Sequence, residues 1–507
     1  MQVAAPTRLS GGLAVGASAI ALGYVATTRH GPALLLVLAL AGAFIALAIW
    51  SRPITVAVLL LAILNGVPLI DLESFVAPGS FRPNDVFVFI LLACLAVWAV
   101  RSPARQAPRY VVLSRWWAGV FLLWWLLTLV RSSFYDQVPL LHASLYGRDF
   151  LYFGLLVPAL AAVQWTRAEL LLIARIVGLA TGIFAVAAIV DALGIADLSV
   201  VTHPNLTASF EGLTRIYAPM NDLVMLGFAL GIGLALLSTQ PRLQRLGWAL
   251  ALVMGIDFAL QLTRIAYLAA LLAAIVMIGL WMYPRDLISA RMRPRVSALV
   301  AALVLLVGAF TFVGSSGSSS PVGAVVSRAT SSISDVQSRG ANVGYRLDLA
   351  SRMEQILGSD WPIGLGFWHP SYHYVSDLPD GSIRNADLGV SNSVMTMGLI
   401  GTLLLYLPLI YGVVALQRAR TRDRGAGPDS WLTFGMATWI LIAIAASATQ
   451  ATLFTVNGLA LAAFTLVFSL RLVGLPPSRQ EGAGQPTAAP ALTRTTGTRG
   501  TPQPSRA

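Results

Sequence analysis

Apolar residues run along this chain in long blocks separated by short polar segments, with little alternation inside the blocks. Each block is near the ~20 residues that a helix needs to cross a bilayer. The pattern predicts about 14 spanning helices, at 11–28, 31–50, 53–70, 84–100, 116–131, 149–165, 168–192, 219–238, 247–263, 265–283, 297–314, 393–415, 431–449 and 452–472. One segment breaks the rhythm. Residues 315–392 separate two spans and are far longer than any other connection. They open as a Gly/Ser-rich linker. "YRLDLASRMEQILG" then places Leu347, Leu349, Met353 and Leu357 as the apolar positions of a short helix. A turn-rich part, "GSDWPIGLGFWHPSYHYVSDLPDGS", follows. Residues 475–507 are rich in Pro, Gly, Thr and Arg, a composition expected to stay disordered.

The predicted organisation is an all-α polytopic membrane protein. Helices 1–11 lie in 1–314, a loop carrying short helices in 315–392, helices 12–14 in 393–474 and a tail in 475–507. Composition agrees: 11% of residues are charged, against roughly 25% in soluble domains. All 34 basic residues are arginine, and the net charge is +12. That excess does not point to nucleic acid, because many arginines fall in the short connections 101–115, 241–245, 284–295 and 417–427. Alternating helices put these connections on one side, which the positive-inside rule makes cytoplasmic, and both termini with it. The loop is then extracytoplasmic. The first apolar run follows Arg8 and is succeeded at once by another, so it is expected to be an uncleaved helix rather than a signal peptide. Cys94 is the single cysteine, which excludes a disulfide within the chain or a multi-thiolate metal site.

The remaining arginines change the picture. Arg29, Arg82, Arg131, Arg148, Arg215 and Arg264 fall at or near outer helix ends. Arg328, Arg339, Arg346, Arg352 and Arg384 fall in the long loop. A lone outer arginine can simply snorkel to a lipid headgroup. Several converging at one membrane face suit an anionic ligand, because guanidinium forks match phosphate oxygens. A diphosphate at a membrane surface suggests a lipid-linked diphosphate. Arg264 stands apart. In "DFALQLTRIAYLAALLAAIVMIGLW" the spacing of Asp257, Gln261 and Arg264 puts all three on one helix face. An ionisable group within a membrane helix is a functional candidate by default. Asp257 and Gln261 are expected to orient its guanidinium and balance its charge; a purely structural Asp257–Arg264 bridge is the alternative.

Three places resemble the O-antigen ligase and O-antigen polymerase superfamily of membrane glycosyltransferases. "LTRIAYLAALLAAIVMIGL" is similar to an element in which an arginine, here Arg264, opens a long apolar helix. "RIYAPMNDLVMLGFALGIGLAL" is similar to the arginine, aromatic, Pro/Asn element, with Arg215 and Asn221 in place. "GYRLDLASRMEQILGSDWPIGLGF" is similar to the outer-loop element in which an arginine opens a helix ending in Pro-x-Gly-x-Gly, here Arg346, Pro362, Gly364 and Gly366. The resemblance covers about 200–415 and departs at "LGVSNS", where Ser391 precedes Asn392 in place of the ligases' histidine. Polymerase-like members often carry an acid there, which Asp387 supplies.

The resemblance implies a GT-C-like architecture in the bacterial cytoplasmic membrane, with an extracytoplasmic active site. It implies glycosyl transfer from a polyprenyl-diphosphate-linked glycan to a glycan acceptor, within cell-envelope polysaccharide biosynthesis. Membrane lipids, chain-length regulators and export proteins are the further partners. Arg264 and Arg346 would stabilise the leaving diphosphate, with Arg215, Arg148, Arg352 and Arg384 binding donor or glycan. Asp387 would take the acceptor's proton, with His369 and His373 as rivals. Trp368, with Trp361, Tyr372 and Tyr374, offers faces for sugars or for packing the loop. His369 and His373 do not make a zinc site: Pro370 opposes the helix that would align them, and the ligand count is short. No cofactor and no metal are expected. Transfer of finished polysaccharide to a lipid or protein acceptor, or transport of the lipid-linked oligosaccharide, are the competing readings.

Overall fold

The computed structural model describes residues 51–64, 83–101, 108–198, 206–210, 213–217, 221–238, 240–260, 357–367, 389–422, 430–447 and 452–474, with 351, 354 and 355 singly. Over these the chain is helical apart from one hairpin. The helices are α1 (Arg52–Ile63), α2 (Pro83–Arg101), α3 (Arg109–Val130), α4 (Leu140–Ala162) and α5 (Arg167–Ala192). After the hairpin come α6 (Asn221–Leu237), α7 (Pro241–Leu260), α8 (Gly389–Arg422), α9 (Ser430–Ala446) and α10 (Val456–Gly474). The hairpin pairs β1 (Leu206–Phe210) with β2 (Leu213–Tyr217) antiparallel, Ala208 opposite Arg215. It is the one departure from the all-α expectation among the described residues.

Among the described residues, five stretches are long and apolar enough to span a membrane: Asn84–Arg101, Arg109–Tyr135, Arg167–Ala192, Gly389–Arg418 and Val456–Val473. The protein is a multi-pass membrane protein. Expected spans at 11–28, 31–50, 265–283 and 297–314 lie outside the described residues, as does the tail 475–507.

Several helices begin earlier than the apolar blocks do. Helix α3 starts at Arg109 instead of 116, so residues 109–115 are helix and not loop. Helix α4 starts at Leu140 instead of 149, which puts Arg148 inside it. Helices α7 and α8 absorb the arginines of 241–245 and 417–422. The reason is physical: hydrophobicity marks only the part in hydrocarbon, whereas arginine is a good helix former and carries the helix on into the polar layer.

Helix α6 is gripped on two sides through glycines. A side chain at Gly231 would meet the backbone of Ala251 on α7, and one at Gly233 would meet Trp431 on α9. Met254 of α7 fills the notch at Gly227. Small residues let membrane helices approach until van der Waals contact replaces the missing hydrophobic drive.

Polar contacts define one end of the bundle. Arg52 at the start of α1 bridges Glu169 at the start of α5, 2.6 Å apart. The same Glu169 completes a capping box with Thr166. Arg471, near the end of α10, donates to the Trp165 carbonyl after α4 and to the Tyr110 hydroxyl in α3. Trp165 packs edge-on against Trp98 and Phe468.

Candidate functional site

The opposite end gathers the start of α2, the end of α3, the start of α4, the turn at 357–367 and the start of α8. Its centre is a break in α8. Gly398 has φ 70° and ψ 179°, a conformation essentially restricted to glycine, and it interrupts the helix. Residues 361–366 fill the gap. The amides of Leu365 and Gly366 donate to the carbonyls of Met395 and Thr396, at 2.6 and 3.0 Å. The amides of Leu399 and Ile400 donate to the carbonyls of Trp361 and Pro362, at 2.9 and 3.1 Å. The Trp124 indole, from α3, donates to the Met397 carbonyl. Non-helical backbone near a bilayer must be satisfied by protein or water, and here the Pro-x-Gly-x-Gly turn does it. Its glycines are required: Gly364 (φ 77°) lies against the backbone of 396–398, and Gly366 (φ 100°) against Ser132 and Asp136.

The end of α3 clasps this turn. A single π-helical turn, Arg131–Tyr135, aims Arg131 and Ser132 at it. Arg131 bridges the Asp360 carboxylate at 2.9 Å and donates to the Gly364 carbonyl. Its guanidinium also lies 6.0 Å from the Tyr135 ring centre. The Phe367 amide donates to the Ser132 hydroxyl at 2.5 Å, which donates on to the Thr128 carbonyl. The Phe367 ring is fully buried over Gly147, against Trp125 and Phe150.

On the same stretch of α4, Arg148 forms a buried bridge of 2.8 Å with Asp85 in the first turn of α2. Asp149 lies beside it, its carboxylate 4.0 Å from the guanidinium, and the Tyr152 hydroxyl bonds Asp85. Asn84 donates to Asn457 at the start of α10. Helix α4 therefore presents Gly147 and Phe150 to the turn and Arg148 to α2.

Of the residues expected to act, Arg148 is placed within this end, paired with Asp85. Asp257 is buried on α7, which packs mainly on α5 and α6. Arg215 is on β2. Arg264, Gln261, Arg346, Arg352, Trp368, His369, His373, Arg384 and Asp387 lie outside the described residues. The helix expected over "YRLDLASRMEQILG" is present at its described positions Ser351, Glu354, Gln355 and Leu357. Asp85, Ser132 and Asp360 were not singled out by sequence reasoning, and Arg131 was only one outer arginine among several. A basic residue closing a span (Arg131) and an acid two residues before the Pro-x-Gly-x-Gly signature (Asp360) were the available signals.

Residues 249–406 match the family model described as O-antigen ligase. This segment, about a third of the chain, supports the resemblance to the O-antigen ligase and polymerase superfamily. No curated protein matches significantly. The ligase-family segment runs from the middle of α7 to just past the break in α8, so it holds both halves of the insertion, the turn and Gly398. Arg131 and Ser132, which brace the turn, lie before it, as do the paired Asp85 and Arg148. The match of this segment supports a membrane glycan-transfer function of the glycosyltransferase kind, with a lipid-linked glycan donor and an acceptor.

Proposed function

We propose that this protein polymerises lipid-linked oligosaccharide repeat units at the outer face of the bacterial cytoplasmic membrane. The observation that carries the reading is the ligase-family segment, with its glycine turn built into the bundle end. About 14 spans then place both termini in the cytoplasm and 315–392 outside. On that topology the loop's arginines would face the outer membrane surface, where a polyprenyl diphosphate would lie.

In the reaction an acceptor hydroxyl attacks the anomeric carbon of the donor glycan. A new C–O bond forms, the bond to the diphosphate breaks, and the diphosphate leaves with the electron pair. Asp387 takes the hydroxyl proton. Arg264 and Arg346 stabilise the charge that grows on the leaving group, without a metal. Arg215, Arg352 and Arg384 bind the diphosphate and nearby glycan, and His369, His373 and Trp368 contact sugar. Arg148 contributes next to Asp85, and Asp257 with Gln261 orients Arg264.

The family's ligase description favours a second reading, transfer of finished polysaccharide to another acceptor. Ser391 in the position of the ligases' histidine weighs against it. A transporter of the same lipid would use a broken helix to hold its cargo, whereas the break at Gly398 is filled by the protein's own turn.

The test uses purified protein in liposomes, a labelled polyprenyl-diphosphate oligosaccharide as sole substrate, and EDTA. A ladder of longer lipid-linked glycans is the expected product. One unchanged band, converted only when a different acceptor is added, would replace polymerase by ligase. Exchange of label between leaflets without any new product would point to transport.

A further inference from the structure

We infer that Arg131 is a positioning residue, which sets the Pro-x-Gly-x-Gly turn into the broken helix and does not bind the lipid diphosphate. The inference rests on the glycan-transfer reading and goes beyond it, since Arg131 lies outside the ligase-family segment.

Three observations carry it. The guanidinium is already engaged on several sides, by the Asp360 carboxylate, the Gly364 carbonyl and the Tyr135 ring. Two of its five N–H donors are bound to the turn and only 17% of the side chain is exposed, which limits what it can offer a diphosphate. The Asp360 and Gly364 partners belong to the turn and flank Trp361 and Pro362, while Leu365 and Gly366 follow directly after; these four residues complete the break in α8. The neighbouring Ser132 captures the next amide, that of Phe367. The end of α3 thus holds the segment from Asp360 to Phe367 at three points, Asp360, Gly364 and Phe367, through two adjacent side chains. The loop that continues from Phe367 toward His369, His373, Arg384 and Asp387 starts from a point fixed to the bundle. Reacting groups must be held to within a fraction of an ångström for transfer to be efficient, so the clasp governs rate more than affinity.

The test combines kinetics with hydrogen exchange on full-length protein in liposomes. Arg131→Gln is expected to lower kcat at least about 10-fold and leave the donor KM within about 2-fold. Exchange of the Leu365 and Gly366 amides should speed up by about 10-fold or more, since the turn that carries them is no longer held against its acceptors on α8. Arg131→Lys keeps the charge without the fork and should fall between wild type and Arg131→Gln in both readouts. Asp360→Asn keeps the Gly364 contact and should show a smaller effect of the same kind. A raised donor KM with unchanged exchange would make Arg131 a diphosphate ligand and overturn the inference. Unchanged rate and exchange would overturn it as well. Wild-type protein without any transfer would count against the glycan-transfer reading alone, because the exchange readout still judges the clasp.

Discussion

Asp85 is fully buried and takes both the Arg148 guanidinium and the Tyr152 hydroxyl. Removing one member of such a pair leaves a charge in a low-dielectric interior. Asp85→Ala should therefore cost about 3–5 kcal/mol, seen as a large drop in melting temperature in detergent. Replacing both partners together, Asp85→Leu with Arg148→Met, should cost much less than the single change; an equal loss would mean that the bridge is not what Asp85 provides. The proposed chemistry makes its own demands. Asp387→Asn should leave stability nearly unchanged while turnover falls by about 10²-fold or more, the usual worth of a general base. A normal rate in that variant removes Asp387 from the mechanism. Arg264→Lys should be strongly impaired if a bidentate phosphate contact matters there. Reasoning from residue types pointed to arginines and a phosphate, but could not pair Arg131 with Asp360 or Arg148 with Asp85. Those partners are distant in sequence, and a lone acid opening an apolar run looks like an ordinary first-turn aspartate.

Helix α8 would be a plain membrane span but for Gly398. Gly398→Ala should do more harm than its small volume suggests, because a side chain there meets the Pro362 carbonyl and the backbone of Gly364 while its φ of 70° strains any L residue. The same holds for Gly364→Ala, and both should speed exchange of the Leu365 and Gly366 amides. Gly231→Val tests a different contact. It should push α6 from α7 and destabilise by about 1–3 kcal/mol, without altering exchange in the distant turn. Element by element, the sequence was readable where periodicity and length suffice: the expected spans at 84–100, 168–192 and 219–238 coincide closely with α2, α5 and α6. Helix starts were misjudged where arginines extend a helix beyond its apolar part. The break at Gly398 was invisible, because "VMTMGLIGTLL" is an apolar run and only the incoming turn makes a glycine there a discontinuity.

At the scale of the whole molecule, contacts sort the described helices between two ends. Arg52, Tyr110, Glu169 and Arg471 meet at one, and Arg131, Arg148 and the turn at the other. The proposed topology assigns the first to the cytoplasm. In a Cys94→Ala background, Arg109→Cys should resist a membrane-impermeant maleimide in intact cells, whereas Ser359→Cys, on the exposed surface of the turn, should react. The reverse pattern would invert the protein and move the proposed site to the wrong side. The filled break also has a consequence for biogenesis. The turn is synthesised before the helix that receives it, so α8 enters the membrane with its missing hydrogen-bond partners already made and waiting. An α8 delivered without them would carry several unsatisfied amides and carbonyls, each costly in lipid. A nascent chain that has not brought residues 361–366 to the bundle therefore holds an unfinished helix.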